Sequence, residues 1–476
     1  MLLKHFFVEK IAHSSYLVAG KRTCAIVDPE RNVDVYVAAA RSLGVRITHV
    51  IETHLHADFI SGHMDLRDRT GATIYAPKSA GCAFDHVPLA EGDAVEIEDI
   101  RLDVLETPGH TPEHVCYVVT DTARASKPAC VFTGDTLFVG DVGRPDLFPG
   151  RAEELATKLH ASLHEKLLKL PDYCEVLPAH GAGSLCGRSM AAKWRSTIGY
   201  ERRFNPALRI RSAGKLVQWL TTDMPPAPDH FARCSVVNAE GPELVQRLRE
   251  PEPIEPPDFI ARSRARGAVV VDIRSYDAFG GQHVPNALSL PLAGNFPTFA
   301  GWVVPANARI FLVADSNEQV DAAVRRLRRV GLDRVAGYLE GGMGAWVKLG
   351  YPTAHVEQLS PEEVHATATG GETITFVDVR AEAEFEGAHV EGAINIPAPD
   401  LRSRHSELDS SYPVLLMCSS GQRSSLAASI LERKGFENMK NAAGGYTGYA
   451  AAGYVGACTV CALPHGPRMT EVHAGG

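Results

Sequence analysis

The chain has 476 residues, 45% of them apolar, and a net charge of −9. At about 150 residues per domain, that length calls for about three cores. The acidic balance, with no basic stripe, argues against a nucleic-acid partner. No stretch nears the roughly 18 uninterrupted apolar residues of a membrane span. The N-terminus is broken by Lys4, Glu9 and Lys10 and lacks a signal-peptide pattern. Ten cysteines scattered over so long a chain do not make a disulfide scaffold. Reduced thiols in a cytoplasm are the expectation.

In chain order, the first 230 or so residues read as mixed α/β. Short β-rich runs (SYLVAG, TCAIVDP, THVIETH, DVLETPG, CVFTGD, CEVLPAH) each stop at a Pro, Gly, Asp or His. Helical patterns such as VDVYVAAARSLG and EELATKLHASLHEKLLKL intervene. Cys24, Cys116 and Cys130 fall in the β-like runs and read as core residues. Residues 221–257 are Pro-rich and without clear periodicity, and read as an extended boundary strap.

An internal repeat follows. VVVDIRSYDAFGGQHVPNALSLP (269–291) matches TFVDVRAEAEFEGAHVEGAINIP (375–397) at a constant offset of 106 residues. Each copy continues as strand, loop, helix, strand, Gly-Gly, helix. The domains expected are therefore 1–245 with the strap, 246–356, 357–456, and a tail at 457–476 that carries Cys458 and Cys461. A lone CxxC in a Gly-rich tail is weak evidence for a redox pair, and spectator thiols are the plainer reading.

The first domain holds four motifs at strand ends: Thr53-His54-Leu55-His56-Ala57-Asp58, Pro108-Gly109-His110, Thr133-Gly134-Asp135 and Pro178-Ala179-His180. One histidine alone is usually a satisfied core or surface residue. Four such motifs, each ending a strand on a shared sheet scaffold, point to a divalent metal.

These residues resemble the metallo-β-lactamase superfamily over about residues 1–230. The resemblance implies an αββα sandwich. The chain departs from the dinuclear pattern, because Phe59 stands where a second-metal histidine follows the Asp. Asp58 and His180 alone would hold a metal poorly, and His63 sits on a helix that points it elsewhere. One metal is expected, on His54, His110 and Asp135. Two histidines and a carboxylate suit non-haem Fe(II), but zinc hydrolases also use them. THLHADFISGH, PGHTPEH, FTGDTLFVGDVGRPDL and LPAHG are similar to the persulfide dioxygenase branch. That similarity implies Fe(II), one per chain, with O2 and a low-molecular-weight thiol persulfide; glutathione persulfide enters by analogy. It also places His56, Asp58 and His180 behind the ligands rather than on the metal. Arg144 and Asp146 fall on the matching substrate-side loop, where Arg144 would bind substrate. A structural ion pair between them is the equal alternative.

In the last repeat, Cys418-Ser419-Ser420-Gly421-Gln422-Arg423 follows an apolar strand and precedes a helix. Backbone N–H groups at such a junction cradle an anion at the positive end of the helix and stabilise a thiolate. Ser419, Ser420, Gly421 and Gln422 form the cradle, and Arg423 adds a fixed charge. DVR, GAHVEGAINIP and CSSGQR resemble rhodanese sulfurtransferases over residues 357–456. The loop is one residue shorter than in related phosphatases, which suits a single sulfur carried on Cys418. Asp378, Arg380 and His389 match that family and read as braces of the fold. In the middle repeat Ala314 replaces Cys418 and Gln319 replaces Arg423, so its chemistry is lost and a structural or docking role remains.

Together these resemblances imply oxidation of thiol persulfide to sulfite and transfer of sulfane sulfur to give thiosulfate. The rivals are a zinc-dependent thioester hydrolase of the glyoxalase II kind fused to a sulfurtransferase, and a sulfur-carrier or redox-sensing protein without catalysis. The thiol carrier and the direction of transfer are not readable. Nor is oligomeric state, with a homo-oligomer compatible.

Overall fold

The apolar runs of the first half become two six-stranded sheets in a computed structural model that describes residues 1–455, apart from 189, 223, 225 and 372. Cys458 and Cys461 lie outside the described residues. In the first sheet the order is β1 (Leu2–Val8), β2 (His13–Ala19), β3 (Thr23–Val27), β4 (Arg46–Ile51), β5 (Thr73–Pro77), β6 (Val87–Leu89). The second holds β7 (Ala94–Ile97), β8 (Ile100–Glu106), β9 (Val115–Asp121), β10 (Cys130–Gly134), β11 (Glu175–Pro178) and β12 (Ser196–Thr197), again side by side in that sequence.

Side chains alternate across each strand, so one strand feeds two cores. Tyr16 and Val18 of β2 point between the sheets, against Val104, Tyr117, Val119, Phe132 and Leu177. Leu17 points outward to Tyr36, Ala39 and Leu66 of the helices Asp34–Ser42 and His63–Thr70. On the far side, Val118, Val131 and Val176 meet Leu159 and Leu216 of the helices Ala152–Ala161 and Ala213–Thr221. Burial on both faces explains why β2, β9 and β10 lack the polar alternation of a one-sided strand. The result is the αββα sandwich. The segments after β4, β8, β10 and β11 carry the four sequence motifs.

The Pro-rich strap is not extended throughout. His230–Glu240 forms a helix whose buried side is His230, Phe231, Cys234 and Asn238. The spacing 230, 234, 238 is helical, but His, Cys and Asn stand where aliphatic residues would have announced it.

The chain divides into two units, the first Met1–Leu248 together with Arg328–Gly331, the second beginning at Arg249. The second unit carries both repeats. Each repeat is a five-stranded sheet of parallel pairs. In the middle repeat the order is β13 (Glu252–Ile254), β17 (Val335–Leu339), β16 (Arg309–Val313), β14 (Ala268–Asp272), β15 (Leu288–Ser289). In the last it is β18 (Glu357–Leu359), β22 (Met439–Ala442), β21 (Val414–Met417), β19 (Thr375–Asp378), β20 (Ile394–Asn395). The shared Asp-x-Arg motif braces both. Arg274 pairs with Asp272 at 2.6 Å and donates to Gln282 O; Arg380 pairs with Asp378 at 2.5 Å and donates to Ala388 O. His389 is exposed and stacks on Phe385. No helix among the described residues is long and apolar enough to cross a membrane.

Candidate metal centre and sulfur-transfer loop

His54, His110 and Asp135 meet at the strand ends of the first unit. Their ligand atoms lie within 4.8 Å of one another and all three residues are buried. Asp135 Oδ2 is 3.3 Å from His110 Nε2 and 3.8 Å from His54 Nε2. The opposite ring nitrogens are already engaged: His110 Nδ1 donates to Arg144 O at 2.9 Å, and His54 Nδ1 faces Thr53 Oγ1 at 2.9 Å. Donation through Nδ1 puts the lone pair on Nε2. Neither Nε2 has a hydrogen-bond partner among the described residues. Burial, with the neighbouring imidazoles of His56 and His114, pushes His54 well below the usual histidine range. Burial lowers His110 too, although Asp135 opposes it. Neutral imidazoles and an ionised carboxylate form a donor set that fits a divalent metal.

Around the triad lie His180, Asp58, His56 and further residues that the sequence did not reveal. His180 Nδ1 meets Asp135 Oδ1 at 2.7 Å, and its Nε2 meets Asp58 Oδ2 at 2.9 Å. Burial opposes its charge, but Asp135 and Asp58 raise His180 well above the usual range. Burial likewise works against ionised Asp135, but His180 and His110 hold it well below the usual carboxylate range. His56 turns away from the triad, to Asp28 Oδ1 at 3.2 Å and Glu52 Oε2 at 3.5 Å. His63 packs on Phe84 and stays out of the triad. Phe59 is buried against His13 and His56.

Sequence reasoning missed His114, whose Nε2 accepts from Asp135 N at 2.9 Å while its ring stacks on His54. It also missed Asn238, which donates to the carbonyls of His56 and Phe59 and accepts from Ser61 N, pinning the histidine loop. Cys186 was missed as well. With Asp58 and His180 it completes a second trio of possible ligands, and Asp28, Glu52 and His56 form a third. In the second trio, Asp58 and His180 already bond each other, and burial pushes the Cys186 thiol up to about 12.

Arg144 is buried and forks onto Asp146 at 2.7 Å through both Nε and Nη2, with Nη1 donating to Leu185 O. Its carbonyl, rather than its charge, reaches His110. Gly143 permits this approach, since a Cβ there would lie 1.9 Å from Asp135 O.

In the second unit, Cys418 is buried at the end of β21. Gly421 N–H donates to its Sγ at 3.1 Å, and Ser424 Oγ donates at 3.4 Å. Gly421 has φ +93°, which favours glycine. Arg423 forks onto buried Glu384 at 2.5 and 2.8 Å and donates to Ser419 Oγ at 3.0 Å. The charge expected to face an anion is therefore matched by a carboxylate, and Arg423 fixes the loop as well. Glu384 comes from the helix Glu382–Gly387, and only the fold brings it to the loop. Ser420 and Gln422 complete the loop, and Gln422 opens the helix Gln422–Glu432. In the middle repeat, Gln319 turns back onto Asp315 N at 2.9 Å, closing the corresponding loop on itself.

Comparison with known proteins follows the same division. The Metallo-beta-lactamase superfamily profile matches residues 9–180, and the Rhodanese-like domain profile matches 255–349 and 360–452. The chain is 31% identical over 219 residues to a mitochondrial persulfide dioxygenase of Bos taurus, covering 44% of this chain and 77% of the relative. It is also 31% identical over 240 residues to a hydroxyacylglutathione hydrolase of Pseudomonas entomophila, covering 45% and 88%. Among solved structures, a metallo-beta-lactamase from Staphylococcus aureus is similar at TM-score 0.65 and 32% identity, over 71% of this chain and 99% of that one.

Proposed function

Because the chain belongs to the metallo-β-lactamase superfamily and carries two rhodanese-like domains, we propose that it is a persulfide dioxygenase coupled to a sulfurtransferase. In this reading a low-molecular-weight thiol persulfide, glutathione persulfide first among them, is oxidised by O2 to sulfite. Sulfane sulfur carried on Cys418 is then passed to sulfite, giving thiosulfate. The observation that carries the reading is the buried set of two neutral imidazoles and one carboxylate, both Nε2 lone pairs unclaimed, with Phe59 packed where a second metal would need a histidine.

His54, His110 and Asp135 would hold one Fe(II). Bound there, it would supply the affinity for O2 and for anionic sulfur that no side chain offers. The chain's own residues do the rest. His180 keeps Asp135 ionised and oriented. Arg144 O and Thr53 Oγ1 fix the two ligand tautomers. Arg144 and Asp146 hold the substrate-side loop in shape. Ala57, Phe138, Cys186 and Phe231 pack as an apolar wall that limits water.

At the second site, the Cys418 sulfur bonds to the outer sulfur of R–S–S⁻. The original S–S bond breaks, and R–S⁻ leaves with the Cys418 proton as thiol. The sulfur lone pair of sulfite then takes the outer sulfur, and the S–S electron pair returns to Cys418 as thiolate. Gly421 N–H and Ser424 Oγ stabilise that thiolate. The middle repeat has no nucleophile of its own and packs against the helix that begins at this site.

A second reading is a zinc thioester hydrolase fused to a sulfurtransferase, favoured by the Asp58–His180–Cys186 trio as a second metal position. The decisive experiment is metal analysis of the purified chain alongside O2 uptake with glutathione persulfide. One iron per chain with O2 consumption supports the dioxygenase. Two zinc ions with thioester hydrolysis and no O2 uptake establish the hydrolase.

A further inference from the structure

The repeat without a nucleophile reaches into the site of the repeat that has one. Tyr276 opens the helix Tyr276–Gly281 of the middle repeat. Its ring lies over Gly421 in the Cys418 loop. A Cβ placed on Gly421 would meet Tyr276 Cζ at 3.0 Å, Cε2 at 3.1 Å and Cε1 at 3.4 Å. The hydroxyl-bearing carbon is thus the nearest atom, and the phenol sits on the very residue whose N–H donates to Cys418 Sγ. The hydroxyl also hydrogen-bonds the backbone of Gly444. Gly444 belongs to the Gly-Gly turn of the last repeat, whose Gly445 packs against the Cys418 carbonyl. Tyr276 therefore spans the rim of the sulfur pocket between its two glycine walls, and is only half-buried.

The placement is held from below. Ser289 N donates to Ser429 Oγ at 3.1 Å, Ser289 Oγ meets Ser425 Oγ at 2.8 Å, and buried His283 meets Glu432 at 2.9 Å. All three contacts fasten the middle repeat to the helix that begins at the Cys418 loop.

We propose that Tyr276 is a substrate-binding residue of the sulfur-transfer site, its phenolic O–H donating to an oxygen of the incoming sulfite dianion. The proposal rests on the reading of Cys418 as a sulfur carrier. Its chemical reason is charge. Sulfite must approach Cys418–S–S⁻, anion to anion, and Arg423 is already matched by Glu384. A neutral O–H at the rim offsets repulsion without adding a second cation to desolvate. In the transfer itself, the sulfite sulfur bonds the outer sulfur, the Cys418–sulfur bond breaks, and its electron pair stays on Cys418. Tyr276 gives up no proton.

The test uses the full-length protein. Cys418 is loaded with glutathione persulfide, the persulfide is quantified by alkylation and mass spectrometry, and its discharge is followed against sulfite. Wild type and Tyr276→Phe should load equally, and Cys418→Ser should carry none at this position. Tyr276→Phe keeps the ring on Gly421 and removes the donor. Its KM for sulfite should rise about tenfold with kcat little changed, as expected for a lost hydrogen bond to an anion. Equal KM in the two loaded proteins would overturn the role of Tyr276 alone. A wild-type chain that takes up no persulfide at Cys418 would overturn the carrier reading and this proposal with it.

Discussion

His180 holds Asp135 by a 2.7 Å contact from Nδ1 to Oδ1, while its other nitrogen rests 2.9 Å from Asp58. Asp135 is thus oriented by an imidazole that Asp135 itself and Asp58 together keep charged. Removing Asp58 loosens this chain one step from the metal. Asp58→Ala should weaken iron binding by about 10- to 100-fold and still fill at high iron, as outer residues of metal sites do. His54→Ala, His110→Ala and Asp135→Ala each remove a ligand and should not fill. Iron titration of the four variants checks this, and equal loss in Asp58→Ala and His110→Ala would refute a mononuclear centre on the triad.

Gly143 gives a sharper test of geometry, because it ligates nothing. A Cβ there would lie 1.9 Å from Asp135 O and 3.0 Å from His110 Cβ. Backbone atoms cannot yield as a flexible side chain does, so two ligand segments must move apart. Gly143→Ala should lose metal and O2 uptake together. Thermal unfolding should still show a folded chain. A variant with full iron content would mean that the loop tolerates the displacement.

How much of this was legible depended on whether a residue acts through its own motif or through the fold. His54, His110 and Asp135 each end a β-run, so their convergence could be expected from sequence. The 106-residue repeat likewise exposed both later sheets. Asn238 and Glu384 were invisible for the opposite reason. Asn238 lies in a segment with no chemical signature, Glu384 sits between two motifs that do not point to it, and only the tertiary fold brings each to the histidine loop or the cysteine loop. Arg423 was read as a cation facing an anion because its partner lies 39 residues earlier in the chain. Cys186 looked like one more scattered thiol until Asp58 and His180 were seen beside it.

Burial predicts a pH dependence at the strap. His230 is held down to about 4, first by burial and then by Arg233. Its folded value lies below its unfolded one, so protonation favours the unfolded chain as pH falls below about 6.5 towards 4. Between pH 7 and pH 5 this group alone should remove about 2 kcal/mol of stability. His230→Gln cannot take up that proton. Urea unfolding of both proteins at the two pH values should therefore show a smaller loss in the variant. Equal losses would mean that the strap opens before the histidine titrates.

The docking of the two repeats should register in stability at Ser429 but not at Asp315. Ser429 Oγ accepts from Ser289 N in a buried contact, and Ser429→Ala strands that N–H at a cost of about 1–3 kcal/mol. Asp315 is exposed at the tip of the silent loop, so Asp315→Ala should stay within about 0.5 kcal/mol and leave sulfur transfer unchanged. Denaturant titration separates the two. A transfer defect in stable Asp315→Ala would give the silent loop a catalytic duty.

The final prediction separates oxygen consumption from sulfur transfer. Cys418 lies in the second unit and His54, His110 and Asp135 in the first, so Cys418→Ser leaves that triad in place. Serine nearly keeps the volume but cannot carry a persulfide. With glutathione persulfide and O2, the variant should consume oxygen as wild type does, while its product shifts from thiosulfate towards sulfite. Arg423→Ala should shift the product the same way, but by itself it leaves Glu384 buried without its cation and should cost about 3–5 kcal/mol. Adding Glu384→Ala to Arg423→Ala should recover much of that stability without recovering transfer, since the loop still lacks its brace at Ser419. The measurement is O2 uptake with separate quantitation of sulfite and thiosulfate, corrected for the spontaneous reaction of sulfite with persulfide. Unchanged enzymatic thiosulfate from Cys418→Ser would refute the two-step assignment. Loss of O2 uptake with iron still bound would place Cys418 in the oxidation itself.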